Sequence, residues 1–421
     1  MSDFFSSLSL AVWLVMSGSP GLAFAGPPGS FPPGAVDETF HLDAALENSN
    51  QIPAYALGSV RVAATSLDHE KIYIGGMFDR FQGKPIGHNL ARLLHDGSLD
   101  PSFDSGAGID GIPYAIVADP KESGAIFVGG SFGKYQNKRV AALIHVHSDG
   151  SLDDSFKVRQ FAIEMVSNLV FDAGRDQLYV LGMIGDEGRH WAPGIVRLKR
   201  DGSVDPSFKL YSDLFQLKQS ALRRPPSVYG NRLLLSRSGK LYYAYTVESS
   251  FHRLARIDEE GYADPEFRRD AVHFDRSIDA LAETADGQLY AAGAFQYGET
   301  ASAKPHGWNI ARLNPDGRLD TQFIVANANQ VMGVASSVMT TPSEDGVYFA
   351  GGFASSPPEF LFGKLQTDGS MDPSVLAGDG KKGDFVNQML LGKPGELYLV
   401  GSLRDYAGHA LSGIVRLHLP K

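Results

Sequence analysis

A chain of 421 residues carrying 38 Lys and Arg against 48 Asp and Glu has a net charge of −10. With no basic run and no basic–aromatic interleaving, it lacks the cationic surface that nucleic-acid binding needs. It has no cysteine, which excludes disulfides and thiol chemistry.

Taken in chain order, residues 1–25 read as a secretory signal peptide. The apolar stretch Leu8–Met16 is too short to span a bilayer, and Ala23–Ala25 before Gly26 forms a small-x-small cleavage site. The segment departs from the usual pattern in having Asp3 and no Lys or Arg ahead of the apolar stretch; its alternative reading is an ordinary apolar N-terminus. Residues 26–34 form a Pro/Gly-rich linker. No later apolar run reaches membrane-spanning length, and no cysteine is present for a lipid anchor. The expected destination is the periplasm, the cell surface or the medium.

From residue 35 to 421 the chain is repetitive. The octapeptide D-G-S-L-D-P-S-F (Asp96–Phe103) returns at Asp149–Phe156, Asp201–Phe208, Glu260–Phe267, Asp316–Phe323 and Asp368–Val375. A second signature, I-Y-I-G-G-M-F at Ile72–Phe78, returns at Ile126, Leu178, Leu241, Leu289, Val347 and Leu397. Seven copies of the second stand against six of the first. The interval of roughly 50 residues makes each copy one supersecondary unit packed on its neighbours.

One unit reads as four short strands, in the second copy Tyr114–Ala118, Ile126–Phe132, Val140–Val146 and Ser151–Phe156. No helical period is sustained. The expected fold is therefore all-β: a single seven-bladed β-propeller with four antiparallel strands per blade. The seventh octapeptide is missing after Ile414–Lys421. A degenerate copy, A-V-D-E-T-F (Ala35–Phe40), can complete the last blade and remove its open edge.

The turn N-P-D-G (Asn314–Gly317) suits Pro at its second position and a left-handed Gly. Its register sets Arg312 opposite Asp320. The same register predicts Arg92–Asp100, His145–Asp153, Arg197–Asp205, Arg256–Asp264, Lys364–Asp372 and, at closure, Arg416–Asp37. Cross-strand pairs of this kind contribute about 0.2–1 kcal/mol. The octapeptide phenylalanines are expected to pack between blades, and the glycines of the second signature to allow close approach. Alternating oxygens in D-G-S-x-D also fit a calcium loop, but position six is usually Pro where such a loop needs Gly. Structural turns are the preferred reading, and no cofactor is expected.

The D-G-S-x-D-P-S-F and G-G-x-F signatures, with the strand I-A-R-L (Ile310–Leu313), resemble the delta-60 repeat β-propellers of bacteria. The resemblance covers Ala35–Lys421. It implies secreted or surface proteins, and no reaction or catalytic residues. The fourth blade departs from the pattern, with Tyr245 in place of the glycine and Gly-Tyr-Ala in place of Gly-Ser-Leu.

Antiparallel strands assign every loop to a face. One face has short stereotyped turns such as Glu122–Gly124 and Ser148–Gly150. The other has variable connections such as Phe81–Asn89, Gly185–Pro193, Gln296–Trp308 and Arg404–Ser412. Binding residues concentrate on variable loops held by a rigid scaffold. On that face fall His88, His190, His252, His306 and His409, without metal-ligand spacing, and two candidate contact aromatics, Trp191 and Trp308. The bland alternatives are solvated loop histidines and loop tryptophans packed on their own blades.

At the start of each innermost strand stand Arg61, Tyr114, Asn168, Arg232, Asp279 and Asn387, candidates for a binding site in the axial channel. Only Asp279 is acidic there, which argues against an axial metal held by several carboxylates. No nucleophile elbow, P-loop or dinucleotide fingerprint is present. The sequence therefore points to an exported, non-catalytic propeller binding a protein or glycan through its variable face. The alternative is a small-molecule or polysaccharide hydrolase or lyase working in the axial channel.

Overall fold

The computed structural model describes residues 32–40, 46–47, 59–158, 162–185, 191–209, 229–247, 251–299, 305–325, 333–352, 361–375, 378, 380–381 and 383–420. The proposed signal peptide and most of the linker lie outside them. Among the described residues all regular structure is strand, and no helix is long and apolar enough to cross a membrane.

The strands form antiparallel three-stranded meanders that follow one another along the chain. The innermost strands are Ser59–Thr65, Ile112–Ala118, Ala162–Asp172, Tyr229–Leu235, Ile278–Glu283, Val334–Thr340 and Phe385–Leu391. Each pairs with a middle strand bearing the second signature, for example Lys71–Met77, which is buried along nearly its whole length. Each innermost strand touches the next, and Phe385–Leu391 touches Ser59–Thr65, so the inner strands ring an axis. This all-β ring is a β-propeller.

Seven hydrophobic clusters hold the ring, and each spans two neighbouring meanders. The octapeptide phenylalanines sit in them as expected. Phe103 packs edge-on to Tyr73 of its own meander, in the same cluster as Ile116 and Val128 of the next. Phe40, from the N-terminal segment, fills the same place between the last meander and the first.

The expected fourth strand is reduced to a single bridge. The bridges are Leu93↔Leu99, Val146↔Leu152, Leu198↔Val204, Ile257↔Ala263, Leu313↔Leu319, Leu365↔Met371 and, in the last meander, Val36↔Leu417. The cause lies in the octapeptide. Asp96 Oδ1 accepts from the Ser98 amide and hydroxyl, and Asp100 Oδ1 accepts likewise from Ser102. Two successive Asx turns bend the chain away after one bridged residue.

All seven predicted basic–acidic pairs form. Nε–Oδ2 distances are 2.7 Å for Arg92–Asp100, 2.9 Å for Arg197–Asp205, 2.5 Å for Arg256–Asp264, 2.8 Å for Arg312–Asp320 and 2.8 Å for Arg416–Asp37. His145 and Lys364 pair at 2.9 and 3.1 Å. The pairs are not surface contacts: Arg92 is 1% exposed and Asp100 3%. Each arginine also reaches a turn carbonyl of the next meander, as Arg92 reaches Ser148 O at 2.5 Å, and lies over the octapeptide phenylalanine, 4.8 Å above Phe103. Breaking such a buried pair costs about 3–5 kcal/mol rather than the fraction expected of a solvated one.

A candidate site at the ring axis

Every innermost strand has a β-bulge near its start. The pairing slips between Val60 and Val62, Pro113 and Ala115, Val166 and Asn168, Gly230 and Arg232, Ile278 and Ala280, Ala335 and Ser337, and Val386 and Gln388. A bulge adds one residue without a ladder partner and re-aims its side chain. The glycines of the middle strands exist to admit it. A Cβ on Gly76, Gly182, Gly351 or Gly401 would sit 1.8–2.0 Å from the carbonyl oxygen of the adjacent inner strand. In the fourth meander the middle strand has Tyr245, and the glycine has moved to its partner, Gly230.

The bulges form a collar around the axis. The predicted residues Arg61, Tyr114, Asp279 and Asn387 are the bulged residues themselves; Asn168 and Arg232 come one position later. All six line one cavity of about 670 Å³. The same cavity takes Ser167, Ser336, Ser337 and Gln388, which the sequence reading missed. A bulge leaves main-chain groups unpaired, and collar side chains from the neighbouring meander satisfy them. Asn387 Nδ2 donates to Val60 O at 2.9 Å, Gln388 Oε1 accepts from the Ala63 amide at 3.0 Å, and Ser337 Oγ accepts from the Met389 amide at 3.0 Å. Ser336 Oγ donates to Val386 O, and Arg232 Nε to Asp279 O.

The electrostatics are uneven. Burial pushes the Asp279 carboxyl above its ordinary range, against a Ser277 hydrogen bond and the Arg232 charge. Burial also works against the charge of Arg232, Asp279 offsets this, and Arg61 adds repulsion. The Arg61 guanidinium lies 5.1 Å over the Tyr114 ring. Inner strands start at the end of the ring where the variable connections run, so the collar sits beneath the variable face.

The predicted variable-face residues are not brought together. His88 is exposed and borders a second cavity of about 540 Å³ with Asp79, Asp110, Lys134 and Asn137. His306 and Trp308 belong to the fifth meander and His409 to a small hairpin of the last. Trp308 is 38% exposed. His190 and the side chain of Trp191 lie outside the described residues. His252 is not a solvated loop residue. It lies in the strand Phe251–Ile257, buried beside Thr246 Oγ1 at 2.9 Å, and burial lowers its pKa.

At the opposite end, the second meander has His145 where others have arginine. Asp119 lies 3.1 Å from its Nε2, and His147 contacts Glu122 at 2.6 Å. Glu122, His145 and His147 bring ligand-type atoms within 4.8 Å of one another. Arg200 bridges Asp119 and Glu122, so the group is closed by a cation of its own.

Four stretches, residues 71–103, 122–156, 190–208 and 284–323, match the family model of a β-propeller domain of unknown function, DUF5122. They mark the chain as a propeller-repeat protein. A search of curated proteins finds no match. Among solved structures, the chain is similar to the extracellular domain of a putative hybrid two-component system from B. thetaiotaomicron. That likeness has 10% identity, covers 89% of this chain and 42% of that one, and has a TM-score of 0.48. It is also similar to a gluconolactonase from Xanthomonas campestris (12% identity, 89% and 97% covered, TM-score 0.40). A third likeness is to YCF48 bound to D1 peptide (12% identity, 90% and 98% covered, TM-score 0.44).

Proposed function

We propose that this propeller-repeat chain is an exported, non-catalytic, seven-bladed delta-60 propeller that binds a protein or glycan partner. Contact runs through the variable face, with the axial collar as its floor. The observation that carries the reading is the convergence of Arg61, Tyr114, Asn168, Arg232, Asp279 and Asn387 on one cavity beneath the variable loops. Polar groups that converge on one concavity are a mark of ligand sites, and this lining is rich in them. The non-catalytic part is supported by the lining: Asp279 is its one carboxylate among the described residues, and no histidine accompanies it. General acid–base chemistry usually pairs two titrating groups.

The test is capture of surface and envelope components, and of glycans on an array, by the full-length mature protein. Loss of a captured partner on Tyr114→Ala supports the reading. Capture unaffected by both Tyr114→Ala and Arg61→Gln overturns the axial contact. No capture of any surface component or glycan overturns the function as stated.

A second reading keeps one specific support, the raised pKa of Asp279 inside the cavity. A hydrolase or lyase using that carboxyl as its proton carrier loses turnover in Asp279→Asn. Turnover of a sugar lactone or an oligosaccharide that survives the substitution rules this version out.

A further inference from the structure

The collar has two guanidinium groups and one carboxyl. Arg61 belongs to the first meander and Arg232 to the fourth, so they face one another across the ring. Among the described residues neither is ion-paired. Arg232 spends Nε on the Asp279 carbonyl, and among the described residues its two terminal nitrogens have no hydrogen-bond partner. Asp279 is the one carboxyl in the lining and hydrogen-bonds Ser277, so the two guanidinium groups outnumber it. Arg61 is exposed to the cavity and Arg232 half-buried, so both guanidinium groups are open to an anion that enters it. The planar fork of arginine matches a carboxylate with two parallel hydrogen bonds. A local excess of positive charge also stands out in a chain of net charge −10.

The remaining polar groups narrow the ligand. The amide of Asn168 has no partner among the described residues, and Asn387 uses only its nitrogen, on Val60 O. These are groups for hydroxyls. The Tyr114 ring supplies a flat apolar wall beside them.

We propose that the axial collar binds a small hydroxylated carboxylate of the uronic-acid class. Its carboxylate sits between Arg61 and Arg232, and its hydroxyls meet Asn168 and Asn387. The inference rests on the axial binding reading and adds the charge and chemical class of the ligand.

Calorimetric titration of the full mature chain with glucuronate, glucose and inorganic phosphate tests it. The expected result is binding of glucuronate, none of glucose, and a loss of roughly tenfold or more in affinity on Arg61→Gln. Arg61 is exposed, so this variant is expected to fold; Arg232→Lys, which keeps the charge and removes the fork, serves as the second variant. Glucose binding as tightly as glucuronate overturns the anion while leaving the axial binding reading intact. Phosphate binding as tightly as glucuronate overturns the hydroxylated class. Glucuronate binding unchanged in both variants overturns the placement. No binding of any of the three overturns this inference, whereas the binding reading falls only with the capture experiment.

Discussion

Arg416 Nε donates to Asp37 Oδ2 at 2.8 Å, although the two residues are 379 positions apart in the chain. The same arginine reaches His95 O in the first meander at 2.5 Å and lies 5.2 Å over Phe40. One side chain therefore joins the N-terminal segment, the last meander and the first.

Removing the N-terminal partner should open that seam. Deleting residues 26–42 is expected to lower the melting temperature far more than deleting 1–25, since only the former takes away Val36, Asp37 and Phe40. Asp37→Ala alone should cost about 3–5 kcal/mol by leaving Arg416 buried and unpaired. Equal denaturant midpoints for the two deletions would refute closure by this segment.

The second meander should respond to pH. Burial opposes the charge of His145, but Asp119 and Asp153 outweigh it and raise the pKa above 6.5. Its stabilising contribution is therefore complete below about pH 6.5 and is lost as pH rises through the folded value. On the acid side, Asp153 resists protonation despite its burial, through Ser155 and His145, with a pKa of about 2. Its contribution is present above the ordinary value of 3.8 and lost as pH falls towards 2. His145→Arg, the residue most other meanders use, should abolish the alkaline loss. Thermal melts from pH 5 to 9 compare the two; parallel curves would sink the assignment.

Asp279 should show the reverse of a stabilising carboxylate. Its folded pKa is raised, so the folded protein holds the proton more tightly and ionisation costs stability as pH rises above 3.8. Asp279→Asn is expected to melt higher than the parent at pH 7, with the gap closing at acid pH. A lower melting temperature at pH 7 would mean that its charge supports Arg232 more than burial penalises it.

Glycine at the bulge partner position should be irreplaceable. Gly351→Ala places a Cβ 1.8 Å from Val334 O, and the rigid sheet can relieve this only by losing its bulge. A cost of about 3 kcal/mol is expected. Gly133→Ala, whose nearest non-neighbour atom is 4.0 Å away, should stay within about 0.5 kcal/mol and serves as the control. Urea midpoints of the two variants measure the difference.

What could be read from sequence was what is local. The Asp-Gly turn fixes its own register, and this register placed Arg312 opposite Asp320 without knowledge of the rest of the fold. The burial of the arginines was not legible, because it depends on a carbonyl of the following meander, as Ser148 O serves Arg92. The fourth strand was over-read for a related reason: strand-like residues follow the turn, but the Asp100–Ser102 hydrogen bonds bend them away. The axial residues were found because polar side chains at strand starts stand out among apolar ones. The bulge was not, since its mark lies on the partner strand, in the glycine that admits it, and the inner strand itself carries none. It shifted the reading by one position at Ser167 and concealed Ser336 and Ser337, which look like ordinary strand serines.

The aligned bulges carry one more consequence. At the bulged position six of the units hold Arg61, Tyr114, Ser167, Asp279, Ser336 and Asn387, while the glycine across from the slip recurs in nearly every unit. Packing constrains the glycine, whereas the bulged side chain looks inward and escapes the interdigitation of the sheets. A ring grown by copying one unit would begin with the same chemistry all the way round, and so without direction. Single substitutions at these positions can break that sameness one spoke at a time, leaving the walls alone. A scaffold of near-identical parts can thereby come to hold an asymmetric molecule in one orientation.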